Sequence, residues 1–497
     1  MKKITFVFLC LCVVLPAFAA KRFEWTPPAR QAYQKVISLR FEEAYSDLAR
    51  LKINDPDNLI AYHIENYIDF FRVYINEDET EFERLEKNKD RRLDIIAGGD
   101  RNSPYYLYIQ ADIRLHWALA RLKFEEYATA FFEVNKAFKL LSKNVEKFPD
   151  FMPNKKDIGI LHAMVGTIPD GYKWAVEWLS AMEGTIDQGR RELREVVEYA
   201  RHHDFIYEEE TYVLYAYLLL HLGNDKEAAW RIINTGKLNP KQSPMACFVM
   251  ANLAMRTDRG SDAIRILENR PVGKKYFPFP YLDYMLGIAK LHRLDPDADQ
   301  YLHRYLTRFS GRNFIKDAYQ KLAWHSLLKG NRSDYDFYIK ACKTKGYTIV
   351  GNDKSALKEA QTGLVPNVDL LKARLLFDGG YFDRAWQILN HKTVDDFQRP
   401  KDRLEYVYRL GRTAHKMKNY YAALRAYQAT IDEGEDEPWY FACRAALEKG
   451  HIYEAEGNFT AAKEAFERCL EIDPDEYRTE LHQQAKAGIL RVSKFLE

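Results

Sequence analysis

The sequence predicts an all-α fold, an α-solenoid built from stacked antiparallel helix pairs. Small residues recur at an interval of twelve with a turn between them, and no β-rich stretch interrupts the helical periodicity. A small residue on each of two antiparallel helices lets their backbones approach closely, so this interval is typical of one helix pair. We expect about ten such pairs, each burying its apolar face only against its neighbours.

The composition is that of a soluble globular protein, with 47% hydrophobic and 29% charged residues among 497. Lys2 and Lys3 account for the formal charge of +2, so the chain that follows them is neutral. A neutral chain gives no electrostatic reason to bind nucleic acid or an anionic membrane. We therefore expect no nucleic-acid partner, and membrane association is left open but not favoured.

Residues 1–20, MKKITFVFLCLCVVLPAFAA, have the pattern of a secretory signal peptide. A basic start and an apolar run are followed by the small-residue cleavage pattern AFA at residues 17–19. The run is shorter than the ~20 residues that span a bilayer, so cleavage near Ala19/Ala20 is favoured over an uncleaved anchor. The mature protein is expected to be exported and, since the short leader is typical of bacteria, periplasmic or envelope-associated.

Residues 21–164 are predicted to form N-terminal helical repeats. Ala32 and Ala44 show the twelve-residue interval, and His116 and Ala128 give a degenerate example of it. Between them the sequence is helical by period but lacks the full pattern. Stacked helix pairs are therefore expected throughout this part.

Residues 165–189, VGTIPDGYKWAVEWLSAMEGTIDQG, are interpreted as a junction between two groups of repeats. A Pro-Asp-Gly turn precedes an amphipathic helix with Trp174 and Trp178 on neighbouring turns. Three interpretations stay open for this helix: a core plug where the superhelix changes pitch, a membrane wedge, or the wall of a ligand pocket. The core plug is favoured because the Lys/Arg enrichment typical of interfacial helices is lacking.

Residues 190–362 are predicted to form degenerate repeats of the same kind. Ala216 and Ala228 flank a Gly-Asn-Asp turn, and Ala251 and Ala263 keep the twelve-residue interval. The solenoid is therefore expected to continue through this part.

Residues 363–497 carry the clearest repeats, and the last full unit reads GHIYEAEGNFTAAKEAFERCLEIDP. Its Gly450 and Ala462 are the small residues of the helix crossing, while Tyr453 and Phe466 are expected to fill the groove beside it. The unit ends at Pro474. The preceding unit repeats the pattern with three residues: Gly411, Ala423 and Tyr427.

These spacings resemble the tetratricopeptide repeat, a unit of 34 residues with two antiparallel helices. The resemblance implies a right-handed superhelix in which the first helix of each pair lines a concave face that binds a protein or peptide. A second, weaker resemblance covers residues 166–193, which are similar to the linker of a eukaryotic tetratricopeptide-repeat family linked to inclusion-body clearance. It implies only a shared way of joining two halves of a repeat array.

Candidate binding residues are those of the C-terminal first helices that point away from the partner helix. They form a basic strip with aromatic members, able to hold an acidic or extended peptide through charge-assisted hydrogen bonds. The strip does not reproduce the lysine and asparagine clamp with which some tetratricopeptide proteins hold a terminal carboxylate. Its members are Arg374, Phe377, Tyr408, Arg412, His415, Lys416, Arg444, His451 and Glu454.

No motif with catalytic, metal-binding or phosphate-binding spacing is found, so no cofactor and no catalytic residue are predicted. Of the four cysteines outside the leader, Cys443 and Cys469 are the only plausible disulfide partners, because they lie at the ends of two antiparallel helices that meet. Four buried packing thiols are the alternative.

The favoured function is an exported, non-enzymatic scaffold or adaptor that binds a protein or peptide on its concave face, in the setting of a cell-envelope assembly. The competing class is an accessory ligand-binding protein or an enzyme with a pocket at residues 165–189. A third interpretation is a membrane-peripheral protein, which differs from the exported scaffold in its localisation.

Overall fold

The computed structural model describes residues 21–165, 182, 184–223 and 225–496. Within this part the chain forms 24 α-helices and no β-strand, with a single isolated backbone bridge between Arg22 and Asn58. Most consecutive helices within each unit pack against each other. The prediction of an all-α solenoid of stacked helix pairs is confirmed. The leader and most of the junction, including Trp174 and Trp178, lie outside the described residues.

The chain divides into two compact units, the first reaching Tyr74 and running again from Glu79 to Tyr207, the second formed by Ile75–Asp78 and Glu208–Glu497. Eight described helices begin in the first unit: α1 (Pro27–Ile37), α2 (Phe41–Asn54), α3 (Ile60–Asn76), α4 (Glu79–Ala97), α5 (Tyr105–Lys123), α6 (Tyr127–Lys147), α7 (Met152–Val165) and α8 (Ile186–His202).

Sixteen described helices begin in the second unit: α9 (Glu208–His221), α10 (Lys226–Thr235), α11 (Pro244–Arg256), α12 (Gly260–Glu268), α13 (Tyr281–Arg293), α14 (Ala298–Arg308), α15 (Ile315–Leu328), α16 (Arg332–Thr344), α17 (Gly351–Thr362), α18 (Val368–Asp378), α19 (Phe382–Asn390), α20 (Pro400–Lys416), α21 (Tyr420–Gly434), α22 (Phe441–Ala455), α23 (Phe459–Glu471) and α24 (Arg478–Ser493). No described helix is both long and apolar enough to cross a bilayer.

The small residues of the repeat pattern lie where two helices of a pair touch. A Cβ atom added to Gly450 of α22 would lie 2.4 Å from Cδ1 of Phe466 on α23. At Gly411 of α20 the same atom would lie 2.8 Å from Cδ1 of Tyr427 on α21. Both rings are fully buried, so each aromatic side chain occupies the space that the missing glycine side chain leaves.

The turn inside each pair is set by a short local signal. Gly457 has φ +76°, a left-handed conformation that glycine adopts without steric cost. Asn458 follows it, and its side-chain oxygen accepts a hydrogen bond from the Ala461 amide at 3.2 Å, which caps α23. Asn419 caps α21 in the same way through the Ala422 amide, also at 3.2 Å. The turn residues therefore end one helix and start the next.

In the first unit the first helices of the pairs bury polar groups against one another. Asp112 of α5 lies 2.7 Å from Nε2 of His63 on α3 and 3.6 Å from Nδ1 of His116. Lys156 of α7 is 2% exposed and pairs with Asp157 at 2.5 Å. Burial alone would raise the pKa of Asp112, but the two imidazoles and Lys156 lower it below its ordinary range.

Aromatic rings enclose these polar groups. Tyr207 makes ring contacts with Trp25, Tyr33 and Tyr108 at centroid distances of 5.5 to 6.0 Å, and Lys156 lies 5.2 Å from its ring centre. Tyr33, Tyr108 and Tyr207 are almost fully buried. We call this set the polar–aromatic cluster of the first unit: Trp25, Tyr33, His63, Tyr67, Tyr108, Asp112, His116, Lys156, Asp157 and Tyr207.

Candidate functional site

A cavity of about 630 Å³ lies within the second unit, on the side formed by the first helices of its C-terminal pairs. Its walls come from six helices: α15, α17, α18, α20, α22 and α24. We call it the C-terminal cavity. The volume is in the range of a ligand or peptide site.

The cavity exists because the first turns of successive helices meet at one edge of the stack. Asn367 precedes α18, and Lys401, Phe441 and Glu480 lie in the first turns of α20, α22 and α24; all four residues line the cavity. Helix pairs that stack in the same direction place their corresponding ends side by side, so the repeat itself produces this ring of helix starts.

Helix α17 contributes to the wall of the cavity and contacts the segment that precedes α24. Its Ser355 hydroxyl lies 3.3 Å from the Tyr477 hydroxyl, and its Lys358 ammonium donates to the Asp475 carbonyl at 3.4 Å. Tyr477 and Asp475 come directly before α24. The contacts join two segments about 120 residues apart in sequence, so the lining is continuous between them.

The lining is densely charged and electrically balanced. Seven basic residues face it: Lys321, Lys354, Lys358, Arg374, Arg399, Lys401 and Arg409. Seven acidic residues face it: Asp317, Glu359, Asp402, Glu405, Asp475, Glu476 and Glu480. Several pair with each other, as Arg399 does with Asp402 and Arg409 with Glu405, each at 2.7 Å. The cavity therefore presents both signs of charge to a ligand.

Two lysines of the lining have no ion pair among the described residues. Lys354 is exposed at the start of α17, and Lys401 is partly exposed at the start of α20. The Lys401 ammonium lies 5.9 Å from the ring centre of Trp439. These two cations are the ones most readily available to a ligand, since neither lies within ion-pair distance of a carboxylate in the described chain.

Four members of the predicted strip meet in a second depression of about 140 Å³ that shares Arg374, Arg409 and Tyr440 with the C-terminal cavity. The Arg412 guanidinium lies 4.8 Å above the Phe377 ring and donates to the Tyr408 hydroxyl at 2.8 Å. Arg374 lies 4.7 Å from the ring centre of Trp324. The structure therefore brings together four strip residues beside the cavity: Arg374, Phe377, Tyr408 and Arg412.

A carboxylate that the sequence analysis did not single out lies at the centre of the strip. Glu448 accepts from Arg444 at 2.9 Å and lies 3.6 Å from His415 and 3.8 Å from Arg412. Burial opposes its charge, but Arg412 and Arg444 lower the pKa of Glu448 below its ordinary range. The one available signal was its position four residues after Arg444 on a helix.

The remaining charged strip residues are also paired inside the chain. The Lys416 ammonium donates to Asp258 at 2.8 Å. Glu454 accepts from Arg491 at 2.7 and 2.8 Å, and these bonds lower the pKa of Glu454 to about 2. His451 lies 3.7 Å from Glu454. The strip is thus compensated by carboxylates and cations from elsewhere in the second unit.

Burial and neighbouring charge also set the protonation of other groups near the cavity. Burial lowers the pKa of His415, which favours the neutral imidazole. Burial opposes the charge of the Arg374 guanidinium, but Glu359 and Asp378 raise its pKa. Arg374 therefore stays protonated. Among the described residues no group of three or more His, Cys, Asp or Glu side chains is placed to hold a metal ion.

The family model of the tetratricopeptide repeat matches residues 444–476, which cover most of α22 and all of α23. Together with the helix pairs described above, the match confirms the resemblance for this unit: residues 444–476 form a tetratricopeptide repeat. No curated protein matches the chain. The segment of the second resemblance, residues 166–193, lies largely outside the described residues.

Three solved structures match most of this chain at low sequence identity. The APC/C heterotetramer Cut9–Hcn1 is 12% identical, covers 92% of this chain and 98% of its own, and has a TM-score of 0.26. Yeast Tom70 is 12% identical, with coverage of 93% and 95% and a TM-score of 0.23. Naa15/Naa10 bound to HypK-THB is 14% identical, with coverage of 93% and 65% and a TM-score of 0.24. TM-scores this low do not support an assignment. The tetratricopeptide repeat is therefore assigned from the family-model match and the helix pairs alone.

Proposed function

We propose that this protein is an exported, non-enzymatic scaffold that holds an extended segment of a protein partner in the C-terminal cavity. Arrays of tetratricopeptide helix pairs are protein-interaction scaffolds that bind along the surface formed by stacked repeats. The observation that carries the proposal for this chain is the cavity of about 630 Å³ on the first-helix side of α15 to α24.

The chemistry of the lining favours a peptide of mixed charge over a strongly acidic one. The cations and carboxylates of the cavity are equal in number, so a segment with both kinds of side chain can exchange partners with the existing ion pairs. Tyr440 and Tyr477 add aromatic surface that an extended chain covers without needing a fixed sequence. The balance also agrees with a partner that is not nucleic acid.

Charge reversal at the two unpaired lysines tests the binding role of the cavity. The variant Lys354→Glu plus Lys401→Glu is compared with Lys241→Glu plus Lys463→Glu, which changes the net charge equally outside the cavity. Partners are captured from envelope extract on the immobilised protein and identified by mass spectrometry. We expect at least a tenfold loss of the main partner with the cavity variant and no loss with the control, in line with two charge-assisted contacts.

Equal capture by both variants, with unchanged circular dichroism, would contradict binding in the cavity. The basic strip predicted from the sequence is probed by Arg412→Glu plus Lys416→Glu. This variant also breaks the contacts to Glu448 and Asp258. Loss of capture with that variant counts for the strip only when its thermal unfolding matches that of the unaltered protein.

Export is supported by the leader of residues 1–20. Amino-terminal sequencing of protein recovered from the periplasmic fraction is expected to begin at Ala20 or Lys21. Recovery of the intact leader on protein in the cytoplasmic fraction would contradict export.

A further inference from the structure

Two thiols face each other inside the last full helix pair. Cys443 lies in the first turn of α22 and Cys469 in the last turn of α23, and both are fully buried. Their Sγ atoms are 3.5 Å apart, and the Cys443 thiol also lies 3.4 Å from the Cys469 carbonyl. Antiparallel packing therefore brings two positions 26 residues apart in sequence into sulfur–sulfur contact.

We propose that Cys443 and Cys469 form a disulfide that cross-links α22 to α23 as the chain folds in the presence of a disulfide oxidant, such as oxidised glutathione or a protein disulfide. A covalent S–S bond requires the sulfurs to approach about 1.5 Å closer than they lie as thiols. Rotation about the two Cα–Cβ bonds moves both sulfurs and leaves the helices in place.

The exchange balances as a two-step thiol–disulfide reaction. The Cys443 thiolate attacks one sulfur of the oxidant, expels the other as a thiolate and forms a mixed disulfide. The Cys469 sulfur, after losing its proton, attacks the Cys443 sulfur and expels the second half of the oxidant. Two protein thiols are oxidised, the oxidant is reduced to two thiols, and the S–H bonds of the protein are replaced by one S–S bond.

The surroundings of the pair assign these roles. The hydrogen bond between the two thiols and the nearby Arg444 lower the pKa of Cys443, which favours it as the attacking thiol. The same hydrogen bond and burial raise the pKa of Cys469. The Cys469 sulfur also lies 4.0 Å from the Leu481 carbonyl of α24, so α24 covers the pair in the folded chain. The oxidant therefore has access before α24 packs.

The other described cysteines serve as an internal control. Cys247 donates to the Ile266 carbonyl at 3.7 Å, and Cys342 lies near Lys316, on a different helix pair. Burial raises the pKa of each thiol to about 12, so neither is a ready nucleophile at neutral pH. The proposal is thus specific to one pair among the four.

The bond would fix a wall of the C-terminal cavity. Cys443 follows Tyr440 and Phe441, which line the cavity, by three and two residues. A cross-link at this end of α22 prevents the helix from separating from α23. The inference does not depend on the partner of the cavity, and the test uses purified protein, so its failure is distinguishable from a failure of the proposed function.

The test refolds the reduced full chain in a mixture of reduced and oxidised glutathione, blocks free thiols with iodoacetamide and maps peptides by mass spectrometry without reduction. We expect a cross-linked peptide pair that contains Cys443 and Cys469, is lost on adding dithiothreitol, and is absent from Cys443→Ser. Cys247→Ser is expected to keep it. The oxidised protein should also unfold about 5 to 10 °C higher than the reduced protein.

Alkylation of both Cys443 and Cys469 in the refolded, oxidised protein would overturn the proposal, as would a bond from either residue to another cysteine. Cys469→Ser serves as the second variant. Circular dichroism of each variant verifies that loss of the cross-link reflects the missing sulfur and not an unfolded chain.

Discussion

The two units use the first helices of their pairs in opposite ways. In the first unit these helices bring together the polar–aromatic cluster, where Asp112, His63 and Lys156 are almost fully buried. In the second unit the first turns of α18, α20, α22 and α24 stand apart around a cavity of about 630 Å³. One surface is filled by the chain itself, and the other leaves room for a ligand.

This difference shows that the repeat alone does not determine whether a stack of helix pairs leaves space for a ligand. The side chains on the first helices decide it. Large rings such as Tyr33 and Tyr207 fill the space in the first unit, and the charges they enclose are satisfied internally. Around the C-terminal cavity the side chains are long and charged, and Lys354 and Lys401 have no ion pair in the described chain. Binding is therefore expected in the second unit.

The largest effect on stability is expected from removing Asp112, a carboxylate of the polar–aromatic cluster of the first unit. Asp112→Ala leaves the buried His63 imidazole without its hydrogen-bond partner and breaks the buried polar network of the first unit, which should lower its free energy of unfolding by about 3 to 5 kcal/mol. Glu480→Ala, at a carboxylate that lines the cavity and is exposed, should change stability by less than about 0.5 kcal/mol. Urea unfolding followed by circular dichroism measures both, and equal effects would remove the distinction between the two surfaces.

A smaller loss is expected at the helix crossing of the last full pair. Gly450→Ala places a methyl group against Phe466 and should cost about 1 to 3 kcal/mol, because the core there has no spare volume. Gly351→Ala is the matched control, since an added Cβ at Gly351 meets no atom within 4 Å. A neutral Gly450→Ala in thermal unfolding would show that the crossing is looser than described.

Acid should weaken the second unit through Glu448. Its pKa is lower in the folded chain than its ordinary value of 4.5, so its ionised form stabilises the fold. This contribution is complete above about pH 5.5 and is lost as the pH falls through 4.5 toward the lowered value. The stability difference between the unaltered protein and Glu448→Gln should therefore shrink by about 1 to 2 kcal/mol between pH 7 and pH 3.5.

A difference that stays constant over this pH range would mean that Arg412 and Arg444 do not hold the Glu448 carboxylate in its ionised form. Urea unfolding at matched ionic strength is the measurement, because salt screens these pairs.

The smallest effect on stability is expected from the unpaired lysine of α20. Lys401→Glu breaks no ion pair of the described chain, so its free energy of unfolding should stay within about 0.5 kcal/mol of the original. A larger loss of unfolding free energy would mean that Lys401 stabilises the fold. The lining of the cavity would then resemble the polar–aromatic cluster of the first unit.

The fold was predictable because its signals are local. Gly450 and Phe466 lie on neighbouring helices, and the Gly-Asn turn between them sets both the end of α22 and the cap of α23. Such a unit is specified within one stretch of sequence. Gly411 and Tyr427 have the same local arrangement in the preceding pair.

The charges of the site were less predictable because their partners are distant in sequence. Lys416 pairs with Asp258, 158 residues away, and Glu454 pairs with Arg491, 37 residues away. The number of stacked helix pairs and their register determine which side chains meet. Neither can be predicted from the sequence of a single repeat. The sequence could therefore predict a basic strip, but not the carboxylates that compensate it.

The most direct test of binding in the second unit is a photo-crosslinking residue, p-benzoylphenylalanine, placed in the cavity at Tyr440. The matched control is the same residue at Tyr421, which is 73% exposed at the start of a second helix, α21. We predict that irradiation in envelope extract joins a protein to position 440 and not to position 421. Crosslinks of equal yield at both positions, or none at position 440, would contradict a partner held in the C-terminal cavity.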